Sequence, residues 1–590
     1  MSIDEEQNKS EVEMKYTGKY NIEEIKDTDL KEIQRKLLEL KGITNVKEFL
    51  NPKSAHLENA IELDNIDVAA QCLKHHIDGN SKMFIQVDSD VDGFCSAAMT
   101  YLYLKQIDEN LNIEWRVHTD KQHGIIVDTV PKDTDLVIIP DAGSNQKEEL
   151  EELEDLGMDV IVLDHHEAKL YNTNAIIVNN NMEKCQYNNK DLCGAGIVYK
   201  FIKYYDEKYN YDFADKMIDL TAIALIGDMM KVNGLENRFL INWGLKSISN
   251  VGLAQLITTQ SFSMGNKLNN TTIAFYIVPL MNALIRVGEV EDKEKLFKAL
   301  IDGNQLVEST KRGARGETET LATQIARTCT NAKSKQDRLK KKISEELEKI
   351  IEKNALNKNK ILFVPTDSVK DFDTNLTGLI AMQLCSKYNK PTIVAKKVKI
   401  EGDYYYRGSL RNSSNSELKS FREFCEKSGY CEYAQGHESA AGISIHEDRI
   451  KGFLEYANDK LKDMDFSEGV YEADFIADAY DKNLYDIVLA IGQLDVWGQG
   501  VEEPNIVFEN ITIKPSSLKV MGKDGSSVKI EVNGIPFIKF KDIEFIEKLQ
   551  KNELSKVTII GRANLNEWCG TLTPQVFIND YEIVDVTNDF

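Results

Sequence analysis

A chain of 590 residues is too long for one hydrophobic core, so several folding units are expected. With 42% hydrophobic and 28% charged residues, no apolar run of the roughly 18 residues that cross a membrane and no secretory h-region after Met1, the composition predicts a soluble, cytoplasmic protein. The net charge of -24 excludes a general nucleic-acid coat and leaves only a local groove for any nucleic acid, while nine scattered cysteines without a CxxC pair indicate neither a disulfide framework nor a zinc motif.

Residues 1 to about 14 are acidic and polar, with almost nothing to bury, and predict a disordered tail. From Leu30 to Leu50 apolar residues recur at helical spacing, and Pro52 stops the helix. Between Met83 and Asp228 the pattern changes to short apolar runs (MFIQV, LVIIP, DVIVL, AIIVN), each followed by a polar or Gly-containing turn and a helical stretch. Runs that are apolar on both faces and alternate with helices are the pattern of buried parallel strands, so an α/β fold with a parallel sheet is expected. Residues of about 290 to 355 predict long helix, with Lys333 to Lys353 as its solvated face. A second α/β unit opens at Ile361, and beyond about residue 466 strand patterns with Gly-rich turns suit a small five-stranded all-β barrel.

The chemistry gathers at the ends of the first set of strands. Asp88, Asp90 and Asp92 follow MFIQV at alternate positions and are closed by Gly93; Asp141 and Gly143 follow LVIIP; Asp164, His165 and His166 follow DVIVL; and Asp228 ends a later apolar helix. Each acid alone is an ordinary cap or turn residue. Together, at successive strand ends, they converge on the sheet edge where open α/β folds place ligands. Carboxylates with imidazole and no thiolate suit Mn or Mg, and such a set can hold two ions about 3.5 to 4 Å apart. Two ions there would lower the pKa of water, neutralise a phosphodiester and stabilise its departing oxygen.

At these residues the sequence resembles the DHH phosphoesterases, and the whole set resembles their RecJ branch. Asp88 to Gly93 is similar to the DxDxDG motif, Asp141 to Gly143 to DxG and Asp164 to His166 to the DHH triplet. Asp219 to Asp228 with Glu236, Asn237 and Arg238 resembles the segment carrying the last aspartate, and Phe275 to Gly288 resembles the PxxNAxxRxG block. Gly408 to Arg411 and Gly436 to Gly442 are similar to the DHH-associated domain; Trp497 to Gly500 with Pro504, and Asn566 to Gly570 with Gln575, resemble an oligonucleotide-binding (OB) barrel.

The resemblance covers about residues 30 to 585 and implies five segments: an acidic tail and helical N-terminal segment (1–80), a DHH catalytic domain (81–290), a connecting helix (291–355), a DHH-associated domain (356–465) and an OB barrel (466–590). It implies two Mn2+ or Mg2+ ions held by Asp90, Asp92, Asp141, His165 and Asp228, with Asp88 at the same centre and Asp164 in support. It implies His166 facing the scissile phosphate, as a contact or a proton donor, and Arg116, Asn282, Arg286, Ser409, Arg411 and His437 on the nucleic-acid strand. The implied activity is 5′-to-3′ hydrolysis of single-stranded DNA to nucleoside 5′-monophosphates in repair or recombination, by a monomer, with a single-stranded-DNA-binding protein as a partner. Two other readings stand beside it: a DHH hydrolase of short RNA or cyclic dinucleotides, and a catalytically silent replication partner.

Three positions depart from the family pattern. Gln86 stands where many relatives carry a metal-binding His, Gln435 replaces the first Gly of a GGH motif, and Asn179-Asn180, at a usual Asn-Pro, reads as a plain turn. The Tyr- and Asn-rich composition with relaxed motifs points to a phage or mobile-element copy in a low-GC bacterium.

Overall fold

The computed structural model describes residues 14–585 except 120, 121, 315, 371, 414, 415, 465, 467–470, 523 and 569. The expected disordered tail, apart from Met14, and Cys569 lie outside the described residues. The chain forms two compact units, one of residues 43–336 with 495–502, the other of residues up to 42, 337–494 and from 503 onward.

In the first unit β1 (Met83–Val87), β2 (Ile113–Val117), β3 (Leu136–Pro140), β4 (Asp159–Asp164) and β5 (Ile176–Asn179) form an all-parallel sheet in the order β2-β1-β3-β4-β5. Every residue of β1 and β3 is buried, which is why their sequences show no polar alternation; β2, at the edge, alternates. The helices α1 (Ile66–Asp78), α2 (Val91–Ile107) and α3 (Gly194–Tyr209) pack on it, and α4 (Ile218–Gly227) packs on α2 and α3. The chain leaves β1 for β2 on one side and returns to β3 on the other, so β1 and β3 diverge at a topological switch point, where loops part and leave a crevice.

The helical run Asn270–Val287 is long and apolar enough to cross a membrane by length and composition, which the sequence reading does not anticipate; Ile273, Ile277, Met281, Ala283 and Leu284 are nonetheless buried in the protein. Its middle, Ile273–Ile277, is π-helical and leads into α5 (Val278–Val287) with Pro279 in the first turn. Proline lacks the N–H and crowds the carbonyl four residues back, which accounts for the change of helical register.

The expected connecting helix is two helices, Val290–Ile301 and Leu321–Lys353, with a two-stranded ribbon between them at Leu306–Glu308 and Thr318–Thr320. In the second unit β6 (Leu362–Pro365), β7 (Thr392–Ile400), β8 (Asp403–Arg411), β9 (Cys431–His437) and β10 (Ala440–His446) form a sheet in the order β9-β10-β8-β7-β6, parallel only between β6 and β7. One face, with Tyr406, Leu410, Ala434, Ala441, Ile443 and Ile445, enters the core.

The C-terminal sheet has seven strands where five are expected, and it carries the helices Leu484–Gln493 and Ile543–Lys551. A ten-residue apolar run such as LYDIVLAIGQ cannot be told from strand by periodicity alone.

Candidate metal centre

Asp90 caps α2, its carboxylate accepting from Gly93 N–H at 3.0 Å. Gly93 is required by contact: a Cβ there would lie 2.6 Å from Asp88 Cβ and 2.8 Å from its backbone. In the first turn of α2, Asp92 accepts from Gly194 N–H at 2.6 Å and Ala195 N–H at 2.8 Å, so it caps the start of α3 from another helix. Cys193, at the N-cap position of α3 itself, supplies no side-chain cap. Asp141 follows β3 at φ 64°, a left-handed conformation uncommon outside Gly, Asn and Asp. A Cβ on Gly194 would lie 2.5 Å from Asp141 Oδ1, so both ends of this junction are sterically fixed.

His165 Nε2 lies 3.3 Å from Asp141 Oδ1, 3.5 Å from Asp228 Oδ2 and 3.8 Å from Asp92 Oδ2. Three carboxylates around one imidazole nitrogen leave a charge surplus that burial makes costly. Burial raises Asp90 to about 6, helped by Asp88 and Asp92, and raises Asp228 to about 8, helped by Asp92 and Asp90. Burial and Asp92 push Asp141 well above the carboxylate range. Burial lowers His165 and favours the neutral ring that a metal needs.

Asp141 Oδ1 is buried without a hydrogen-bond partner among the described residues. Donor atoms of Asp88, Asp90 and Asp141 lie within 4.8 Å of one another, as do those of Asp92, His165 and Asp228. An orphaned buried oxygen beside two such groups is what a divalent cation would complete, and the O-rich set with one imidazole fits Mn or Mg.

Asp88 and Asp164 are tied to protein instead. Asp88 accepts from His123 Nδ1 at 2.8 Å and Gly124 N–H at 2.9 Å; burial alone would raise it, but His118, His123 and that N–H hold it at about 2. Asp164 accepts from the N–H groups of Ser144, His165 and His166 and from His166 Nδ1 at 2.8 Å, which outweigh its burial and keep it far below the usual range. Burial alone would lower His166; Asp164 raises it to about 9.

Sequence reasoning misses His118 and the asparagines. Gln86 Nε2 donates to Arg116 O at 3.1 Å, and His118 Nε2, from the end of β2, stands 3.3 Å from Gln86 and 3.6 Å from Asp88 Oδ1. The strand order brings His118 there, and no local pattern announces that. Asn179 and Asn180 are not a plain turn: both are buried, and Asn179 Nδ2 donates to His166 O at 2.9 Å while Asn181 Nδ2 donates to His165 O at 2.7 Å. Amides from the end of β5 therefore hold the DHH backbone.

Of the expected strand-binding residues in this unit, Arg116 is exposed on edge strand β2. Arg286 on α5 feels the charge of Asp90, while burial lowers its pKa, and Asn282 Oδ1 is buried without a hydrogen-bond partner among the described residues. In the second unit Ser409 pairs with Gly442, which pairs with Gln435; Arg411 pairs with Ala440, which pairs with His437. Ser409, Arg411, Gln435 and His437 thus share the sheet face opposite the core, separated by small residues. Ser409 Oγ lies 3.0 Å from Thr377 Oγ1, and a Cβ on Gly378 would lie 2.6 Å from Arg411 Nη2, which places both at the start of helix Thr377–Tyr388.

Residues 82–225 match the DHH family N-terminal domain, and residues 479–580 match the RecJ OB domain. The SPbeta prophage-derived YorK of Bacillus subtilis (strain 168), which bears the name of a single-strand DNA-specific exonuclease, is 36% identical over 553 residues, covering 93% of this chain and 95% of that protein. The chain belongs to the RecJ-like DHH family. The prophage origin of that relative fits the expected mobile-element copy. This RecJ-like chain is also 24% identical over 549 residues to the single-stranded-DNA-specific exonuclease RecJ of Bacillus subtilis (strain 168), over 90% of this chain and 65% of that one. Its fold is similar to that of RecJ in complex with Mn2+ from Thermus thermophilus, with a TM-score of 0.72 at 19% identity, over 94% of this chain and 76% of that structure.

Proposed function

We propose that the protein is a metal-dependent exonuclease that degrades single-stranded DNA from its 5′ end to nucleoside 5′-monophosphates. The observation that carries this reading is the convergence of Asp90, Asp92, Asp141, His165 and Asp228 at the switch-point edge, with Asp141 Oδ1 orphaned. Two divalent ions held by these five residues, with Asp88 and Asp164 in support, would supply Lewis-acid stabilisation of phosphoryl transfer.

The chain's own residues contribute the rest. Asp164 fixes His166 through Nδ1, which leaves Nε2–H to donate to a phosphate oxygen or to the departing oxygen. Asn179 and Asn181 hold the backbone that carries both histidines. Arg116, Asn282 and Arg286 in one unit, and Ser409, Arg411 and His437 in the other, are assigned to strand phosphates, for which the planar Arg fork is suited. Names of relatives that specify single-stranded DNA, and a match to the RecJ OB domain, support the substrate. The complete acid set argues against a silent structural relative.

The test is product analysis on 5′-labelled and 3′-labelled single strands with Mn2+, with an Asp164→Ala, His165→Ala double variant as the blank. Early mononucleotide release from the 5′ label alone, absent in the variant, is expected. Release first from the 3′ label would reverse the polarity, and no cleavage of either strand would overturn the reading.

A further inference from the structure

We infer that Cys72, His76 and Asp159 form a second metal site, for a zinc-class ion, at the end of the parallel sheet opposite the acidic centre. Cys72 and His76 stand four residues apart on α1 and so share one helix face. Asp159 opens β4, whose far end is Asp164; five residue steps put the two ends about 16 Å apart. A ligand atom from each of the three side chains lies within 4.8 Å of the others.

His76 is arranged as a metal-binding histidine is. Its Nδ1 lies 3.0 Å from Ser81 Oγ, a hydroxyl that can accept the ring N–H once an ion takes the place of the proton on Nε2. That Nε2 lies 2.9 Å from Asp159 Oδ2. A simple His–Asp pair would account for this contact but gives no role to the Cys72 thiol beside it.

The donor set differs in kind from the acidic centre. One thiolate, one imidazole and one carboxylate form a three-ligand set with a fourth position for water, the pattern of zinc; thiolate disfavours Mg and Mn. Burial, then the charge of Asp159, holds the free thiol at about 11, so binding must displace its proton and strengthens as pH rises. His76 is buried, Cys72 half-buried and the Asp159 side chain 65% exposed, which leaves an entry path. The bound ion would clip α1 to the start of β4. No linear motif marks the site, because its ligands come from elements far apart in sequence.

The test uses the metal-stripped full-length protein. Co2+ alone should give a near-ultraviolet thiolate-to-cobalt band, lost in Cys72→Ser and retained in Cys193→Ser, the control because Cys193 feels the charges of Asp92 and Asp228. Zn2+ should displace the cobalt and slow alkylation of Cys72 about tenfold or more, as near-full occupancy requires. Cys431, the other half-buried thiol among the described residues, should label unchanged. No thiolate band, a band that survives Cys72→Ser, or labelling of Cys72 indifferent to Zn2+ would overturn the assignment.

Discussion

In the metal-free protein Asp90 is raised to about 6 and Asp228 to about 8, each by burial first and then by the acids around it. Both folded values lie above the ordinary 3.8, so between about pH 4 and pH 8 the folded state binds more protons than the unfolded chain and stability falls as pH rises. Thermal unfolding in chelator should therefore shift downward from pH 5 to pH 8, and saturating Mn2+ should flatten that slope. A slope identical with and without Mn2+ would mean that these carboxylates do not hold the ion. By the same reasoning Asp141→Asn removes a buried carboxyl that the metal-free fold keeps only by holding its proton well above the ordinary range. It should stabilise the metal-free protein by about 1 kcal/mol, raise Tm by about 2 °C and abolish Mn2+-dependent cleavage; a destabilised metal-free variant would show that Asp141 is paired by something other than metal.

Helices and strands decide which acids carry structure as well as chemistry. Asp92 caps α3 through two backbone N–H groups, whereas the Asp228 carboxylate faces His165. Asp92→Ala should cost about 1–2 kcal/mol of metal-free stability and Asp228→Ala close to none, though both abolish cleavage; chemical denaturation in chelator separates them. On the sheet face of β8, β9 and β10, Arg411→Ala should weaken single-stranded-DNA binding about tenfold and lower its salt dependence by about one phosphate, with Mn2+ binding unchanged. Anisotropy across a salt series reads both, and unaltered affinity would remove Arg411 from the strand. The strands, the acids at their ends and the DHH triplet were legible because buried parallel strands and their C-terminal turns are local patterns. His118 and the asparagine clamp were not, because their roles depend on β2 and β5 lying beside β1 and β4. The π-helical turn was hidden because apolar spacing does not report a shifted hydrogen-bond register.

The largest scale was only partly legible for the same reason: contact between distant segments sets it. Residues 495–502, which a linear reading joins to the strands after them, belong to the unit of residues 43–336. There Val496 O accepts from Arg238 Nη1 at 3.1 Å, Trp497 O accepts from Asn270 Nδ2 at 2.8 Å and Gln499 O accepts from Val232 N–H at 2.9 Å. A ligand stabilises what it binds by mass action, about 2.7 kcal/mol at a hundredfold excess over Kd, and that protection is confined to the cooperative unit holding the site. Mn2+ should therefore slow backbone hydrogen exchange after β1, β3 and β4 and in the first turn of α3, and extend to residues 495–502 to the degree that they open with that unit. Exchange within residues 362–446 should stay unchanged. Equal slowing of both regions would mean that the two units open together. Slowing of neither would place the ions elsewhere, because cations held by five ligands from separate turns cannot bind without restraining them.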